Sequence, residues 1–292
     1  RAPESGSISR ALTVGDETRI DNVLVLFFRK DGMTLHSVAE GSKLTAKSDD
    51  DKTYTFETSF SVESALASEP FTCIVLANVA DRYDADERRS WRLQTYNDLQ
   101  AKLTQQVTDK LHTSNTGGFV MWGKANKDLI PSTPQQKLSV PLLRSVARVD
   151  VAVDEKVSNF TLAEVHIYKP NNRLSVMPKL DSYDASGHKV TTPSVPAETT
   201  ILTPNWKYVV AGNRIDYSIY IPESDVILKG DGTPGDANHL NRCAIVVGGK
   251  YPDGNAPTTY YRIDFKEGTL ASGGTPSGKL MDVLRNHRYN VR

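Results

Sequence analysis

Asp21-Asn22-Val23-Leu24-Val25-Leu26-Phe27-Phe28, stopped by Arg29-Lys30-Asp31-Gly32, decides the fold class of this chain. An unbroken apolar run of strand length, closed by a turn sequence, reads as a central strand covered on both faces. Farther along, Tyr54, Phe56, Thr58, Phe60 and Val62 alternate with Thr55, Glu57, Ser59 and Ser61. That is the period of two expected of a half-buried strand. Short runs rich in Val, Ile, Tyr and Phe predict further strands near 160–168, 207–210, 217–221, 244–247, 260–265 and 285–291, with 19 Gly and 15 Pro to supply the turns. The pattern predicts a mainly β protein and favours a sandwich over a parallel α/β sheet.

One segment departs from the β pattern. Tyr96, Leu99, Leu103 and Val107 recur at helical spacing, and Thr95 with Asp98 forms a capping-box pair that satisfies the first free N–H groups of a helix. One amphipathic helix is therefore expected to lie on a sheet in the first half of the chain. With 292 residues, two cores are favoured over one, because single cores stop growing at about 250–300 residues. The Pro-containing loop at 130–136 and the alternation of Val149, Val151 and Val153 place the junction near Arg144, giving domains 1–143 and 144–292. The long polar loops near 181–204 and 229–242 are of the kind that is either functional or mobile.

Lys and Arg number 35, and so do Asp and Glu. A balanced charge creates no long-range field for phosphate backbones or anionic lipid, which argues against nucleic-acid and polybasic membrane roles. No apolar stretch approaches the roughly 20 residues of a membrane-spanning helix. Cys73 and Cys243 each sit by an apolar run and read as small buried hydrophobes, not as a disulfide or metal pair.

The sequence contains no nucleophile elbow, HExxH, phosphate-binding loop, dinucleotide fingerprint or EF-hand loop. The six histidines are scattered singly. Asp49-Asp50-Asp51 and the loop from Gly230 to Asp236 could offer oxygen ligands to calcium, but Asp and Gly in these positions read first as turns. Trp91, Trp122, Trp206, Tyr260 and Tyr261 could stack on sugars, or could fill sandwich cores and edges. No catalytic residue, metal or cofactor is expected.

Taken together, several segments resemble the fimbrillin family of Bacteroidia-type (type V) pili, fimbrillin-A-like subunits. They are Arg10-Ala11 followed by the run from Glu17 to Gly32, Thr95-Tyr-Asn-Asp-Leu99, Phe119-Val-Met-Trp-Gly123, Leu143-Arg-Ser-Val-Ala-Arg-Val-Asp-Val151, Tyr220-Ile-Pro-Glu-Ser224, Tyr260-Tyr-Arg-Ile-Asp-Phe265 and Leu284-Arg-Asn-His-Arg-Tyr-Asn-Val291. The resemblance implies two transthyretin-like β-sandwich domains and a lipoprotein precursor, anchored to the outer membrane by a lipid-bearing cysteine ahead of residue 1. It also implies Arg-specific proteolysis that removes an N-terminal strand, so that a strand from a neighbouring fimbrial subunit fills the groove, which makes the N-terminal domain, 1–143, the strand-exchange and polymerisation domain. A sandwich short of one strand exposes an apolar slot and unpaired backbone groups, and a head-to-tail filling of that slot propagates a fibre. Arg10, with Ala11 as the new N-terminus, is the expected processing site, with Arg1 as the alternative. Partners would be other fimbrial subunits and host or bacterial surface ligands. Two other functions compete: a surface glycan-binding β-sandwich lipoprotein, which needs an exposed aromatic platform, and a hydrolase, which needs a convergent carboxylate pair.

Overall fold

The structure, a computed structural model, describes residues 17–47, 50–111, 118–154, 156–210, 218–226, 242–252, 257–266 and 278–291. Strands of the first half are β1 (Val23–Arg29), β2 (Thr34–Glu40), β3 (Ser42–Lys47), β4 (Asp50–Glu57), β5 (Phe71–Ala77), β6 (Thr104–Gln106), β7 (Met121–Lys124) and β8 (Leu142–Arg144). The second half adds β9 (Val146–Val151), β10 (Thr161–Tyr168), β11 (Arg173–Ser175), β12 (Tyr183–Asp184), β13 (Lys189–Val190), β14 (Trp206–Val209), β15 (Ile219–Pro222), β16 (Ala244–Lys250), β17 (Thr259–Asp264) and β18 (Arg288–Val291). Two short helices, α1 (Ala85–Ser90) and α2 (Tyr96–Lys102), complete a mainly β protein.

The first sheet has the order β2-β1-β5-β7-β8. As the apolar run predicts, β1 is flanked by antiparallel β2 and β5 and is buried from Val23 to Phe28. Its side chains divide by parity. Leu24, Leu26 and Phe28 join a cluster with Trp91, Tyr96, Leu99 and Trp122, whereas Val23, Val25 and Phe27 join a larger one. The larger cluster continues through Phe119, whose ring lies 4.4 Å from that of Tyr220, into Val149, Ile221 and Ile245. It therefore runs uninterrupted across Arg144.

In the second half a four-stranded sheet, β14-β10-β16-β17, and a three-stranded sheet, β15-β9-β18, share that apolar cluster. The chain passes from the first sheet to the three-stranded one at Ser145, between β8 and β9, next to the residue read as the junction. The second half also reaches back: β11 pairs with β6, and Val176, Met177 and Val190 cover the helical face of the first sheet. The region 181–204, read as a functional or mobile loop, contains the β12–β13 hairpin and sets Tyr183 edge-on against Trp122 at 4.8 Å. It is a packing element. The second loop, 229–242, lies outside the described residues except for Arg242.

Two elements differ from expectation in length. The capping box at Thr95 and Asp98 is present, but α2 ends at Lys102, and after Leu103 the chain forms β6. Leu103 and Val107 are buried from non-helical positions. Likewise β4 ends at Glu57; Phe60, beyond it, still packs inward by stacking on Phe27 at 3.9 Å, while Thr58 is exposed. The helix α1 was not foreseen.

Candidate functional site

The first described residue, Glu17, is 6% exposed and meets two arginines that flank the change of sheet. Arg144, at the end of β8, donates from Nη1 to Glu17 Oε2 at 2.6 Å, and Arg148, on β9, donates from Nη1 to Oε1. Arg148 also donates from Nε to both oxygens of Asp150, and Asp150 in turn accepts from Arg288 on β18. Arg144 Nε reaches Asn286 Oδ1 at 3.2 Å. This network ties the N-terminal segment, both sheets and the last strand together. Burial opposes the charge on Arg148, yet the Asp150 contact and the nearby Glu17 carboxylate raise its pKa overall. Burial, and then Glu17, pushes the phenol of Tyr220 up.

Asn78 holds the same N-terminal segment from the other side. Its backbone is left-handed, at φ 61°, which Asn tolerates better than most residues. In that pose its amide donates to the carbonyls of Arg19 at 2.9 Å and Phe119 at 2.7 Å, while its Oδ1 accepts from the backbone N–H of Asp21. A second buried ion pair lies at the far end of β15. Arg285, wholly buried, donates from Nη2 to Glu223 Oε2 at 2.7 Å and to the carbonyl of Ser175 at 2.9 Å.

Around this framework the sheets end, among the described residues, in open edges. Among the described residues β18 pairs with β9, in parallel, on one side only, and its inward Tyr289 and Val291 remain half-buried. On the four-stranded sheet, Glu164 accepts from Lys207 and from Tyr260, and His166 Nε2 lies 3.3 Å from its Oε1. Tyr260 crosses β16 to reach Glu164 over Gly248, where a Cβ would lie 2.8 Å from Glu164 Cγ and from the Tyr260 ring. The Lys207 contact leads in holding the Glu164 carboxyl down at about 2.

The proposed processing residues Arg10, Ala11 and Arg1 lie outside the described residues, as do the Gly230–Asp236 loop and the side chains of Asp49, Asp50 and Asp51. The tryptophan part of the sugar platform is contradicted: Trp91, Trp122 and Trp206 are 5% exposed or less and serve as core. Tyr260 and Tyr261 are exposed but, being adjacent in β17, point to opposite faces. Cys73 and Cys243 are both buried and unbridged, and burial, reinforced by Asp128, pushes the Cys73 thiol up to about 12. Among the described residues no three His, Cys, Asp or Glu side chains gather as a metal site, and no helix is long and apolar enough to cross a membrane. The Glu17 clamp was missed in the sequence. Its only signal was the spacing of Arg144 and Arg148 in the run 143–151, which says nothing about an acid 127 positions away.

Residues 15–204 match the family described as fimbrillin-A associated anchor proteins Mfa1 and Mfa2. The chain belongs to this family. It is a family of fimbrial structural proteins and not an enzymatic one, which gives the protein a pilus-related structural role at the cell surface. Among solved structures, the tip fimbrial protein Mfa3 from Porphyromonas gingivalis, with a C-terminal truncation, superposes with a TM-score of 0.55 at 16% identity, covering 96% of this chain and 92% of that one. A fimbrial assembly protein from Parabacteroides distasonis gives 0.51 at 15% identity, covering 96% and 85%. At such identities the likeness is one of fold. No curated protein matches the chain.

Proposed function

We propose that this protein is a structural subunit of a surface fimbria, joined to its neighbours by donor-strand exchange after proteolysis between Arg10 and Ala11, with adhesion as the output of the fibre. In this reading residues 1–143 and 144–292 form two β-sandwich domains, and the precursor is a lipoprotein of the outer membrane. The change of sheet at Ser145 supports the division. The observation that carries the mechanism lies in the second half and not in the N-terminal domain expected to accept the strand: it is the edge at β18, which among the described residues is bonded on one side and whose inward Tyr289 and Val291 are only half covered. An extended segment laid beside it would pair the outward backbone groups and cover those two side chains. Ala11 precedes the clamped Glu17 by six residues, so cleavage at Arg10 leaves a stub of at most about 20 Å and releases what comes before it.

The test joins two measurements on the folded protein. An Arg-specific protease should produce a single new N-terminus at Ala11. The cleaved protein, and not the intact one, should then gain thermal stability from a synthetic donor peptide of alternating apolar pattern, by mass action on the folded state. An identical response before and after cleavage would overturn the exchange mechanism.

A further inference from the structure

The free side of β2 is the floor of a groove of about 550 Å³, the size range of a ligand site. Ser61 and Glu63 wall it on one side, and α1 with Arg88, Arg89 and Arg92 on the other. Pairing sets which backbone groups face it. Gly41 N–H donates to the carbonyl of Val23, and Val25 and Phe27 stand opposite Ala39 and Ser37. In an antiparallel ladder bonded pairs alternate, so positions 37, 39 and 41 bond to β1, and Val38 and Glu40 turn their N–H groups toward the groove. At one end the edge is already closed: Leu35 exchanges hydrogen bonds with Leu93 and Gln94. At the other, Glu40 accepts from Thr58 Oγ1 and from Arg88. The open stretch between them is short and bounded.

Within its lining cations outnumber anions by one, because Asp86, the partner of Arg89, lies outside it. Three arginines face two carboxylates, Glu40 and Glu63, within the lining. The arginines have acidic partners, Arg88 with Glu40, Arg89 with Asp86 and Arg92 with Glu63, the last at 3.8 Å with both side chains more than 60% exposed. Exposed pairs of this kind contribute little and exchange readily for another carboxylate. Ser37 Oγ, also in the lining, is covered and has no hydrogen-bond partner among the described residues.

We propose that this groove docks an extended acidic peptide of a partner protein, added as a strand to β2 with its carboxylates on Arg89 and Arg92. Backbone pairing would supply the affinity and the arginine wall the choice of sequence. The site is separate from β18 and does not depend on strand exchange.

The test uses the intact protein and fluorescence anisotropy with labelled hexapeptides. A peptide alternating glutamate and valine should bind. One alternating lysine and valine should bind about tenfold more weakly or not at all, and R89S/R92S should cost a similar factor for the acidic peptide. Both arginines are largely exposed, so the variant is expected to fold, with its thermal midpoint as the check. N-methylation of alternate amides in the acidic peptide should abolish binding while leaving its charge intact. No binding overturns the proposal, as does binding unaffected by N-methylation, which would show surface ion exchange alone. Self-association of the protein that R89S/R92S abolishes would assign the groove to a second copy of this chain and also overturn it.

Discussion

Glu164 shows how much one carboxylate can gather: a lysine from β14, a tyrosine from β17 and a histidine from its own strand, all on the outer face of one sheet. Because its folded pKa, about 2, lies below the ordinary 4.5, the unfolded chain takes up this proton first as pH falls. The stabilisation is therefore complete above about 4.5 and drains away as pH falls toward 2. Denaturation followed from pH 6 to pH 2 should show wild type losing more stability than Glu164→Gln. Parallel profiles would place the belt outside the energetics. None of this was legible beforehand: the sequence shows His166 and Tyr260 as isolated residues, and only the register of β10, β16 and β17 brings them together.

Among the elements, α2 carries the clearest local logic. Thr95 Oγ1 accepts from the N–H of Asp98, the Asp98 carboxylate accepts from the N–H of Thr95, and Leu99 is driven wholly into the apolar face of the first sheet. Leu99→Ala should cost about 2–5 kcal/mol in chemical denaturation, the range for emptying a fully buried leucine site. A loss under about half a kcal/mol, typical of surface positions, would contradict that placement. The start of α2 was readable because a cap is a local interaction; its end was not. Val176 N–H donates to the carbonyl of Leu103 and β11 pairs with β6, so the chain leaves the helix for a ladder whose partner lies some seventy positions away. Buried Leu103 and Val107 keep a helical spacing in sequence while sitting outside any helix. The helix α1 escaped for the opposite reason: Ala85-Asp-Glu-Arg-Arg-Ser90 buries no residue, so it shows no apolar stripe and is announced only by its Asp84 cap and by acids in its first turn and bases in its last.

Across the molecule, the sheets are joined by side chains as much as by the chain itself. The strands were largely legible because apolar runs and alternation reflect burial directly. The return of 173–190 onto the first sheet was not, since a segment's pattern tells that it is covered and not by what. Glu17 is the test of this cross-bracing. Glu17→Ala leaves Arg144 without its carboxylate and Arg148 with only Asp150. The expected cost, about 2–3 kcal/mol, falls below the 3–5 of a wholly buried pair because the arginines are partly exposed. Equilibrium unfolding measures it, and a change within half a kcal/mol would show the clamp to be incidental.

The parallel pairing of β18 with β9 bears on how a filament component carries tension. A pull on the chain ahead of Glu17 reaches β9 through Arg148, and a pull beyond Val291 reaches the same strand through the pairs from Arg288–Arg148 to Val291–Val151. With β9 held toward its start and β18 drawn toward its end, the two strands are pushed to slide along each other. The bonds between them strain together instead of opening in succession. At the N-terminal end the load is shared between the first sheet, through Arg144, and β9, through Arg148, whereas at the other end it rests on the parallel pair β18–β9 alone.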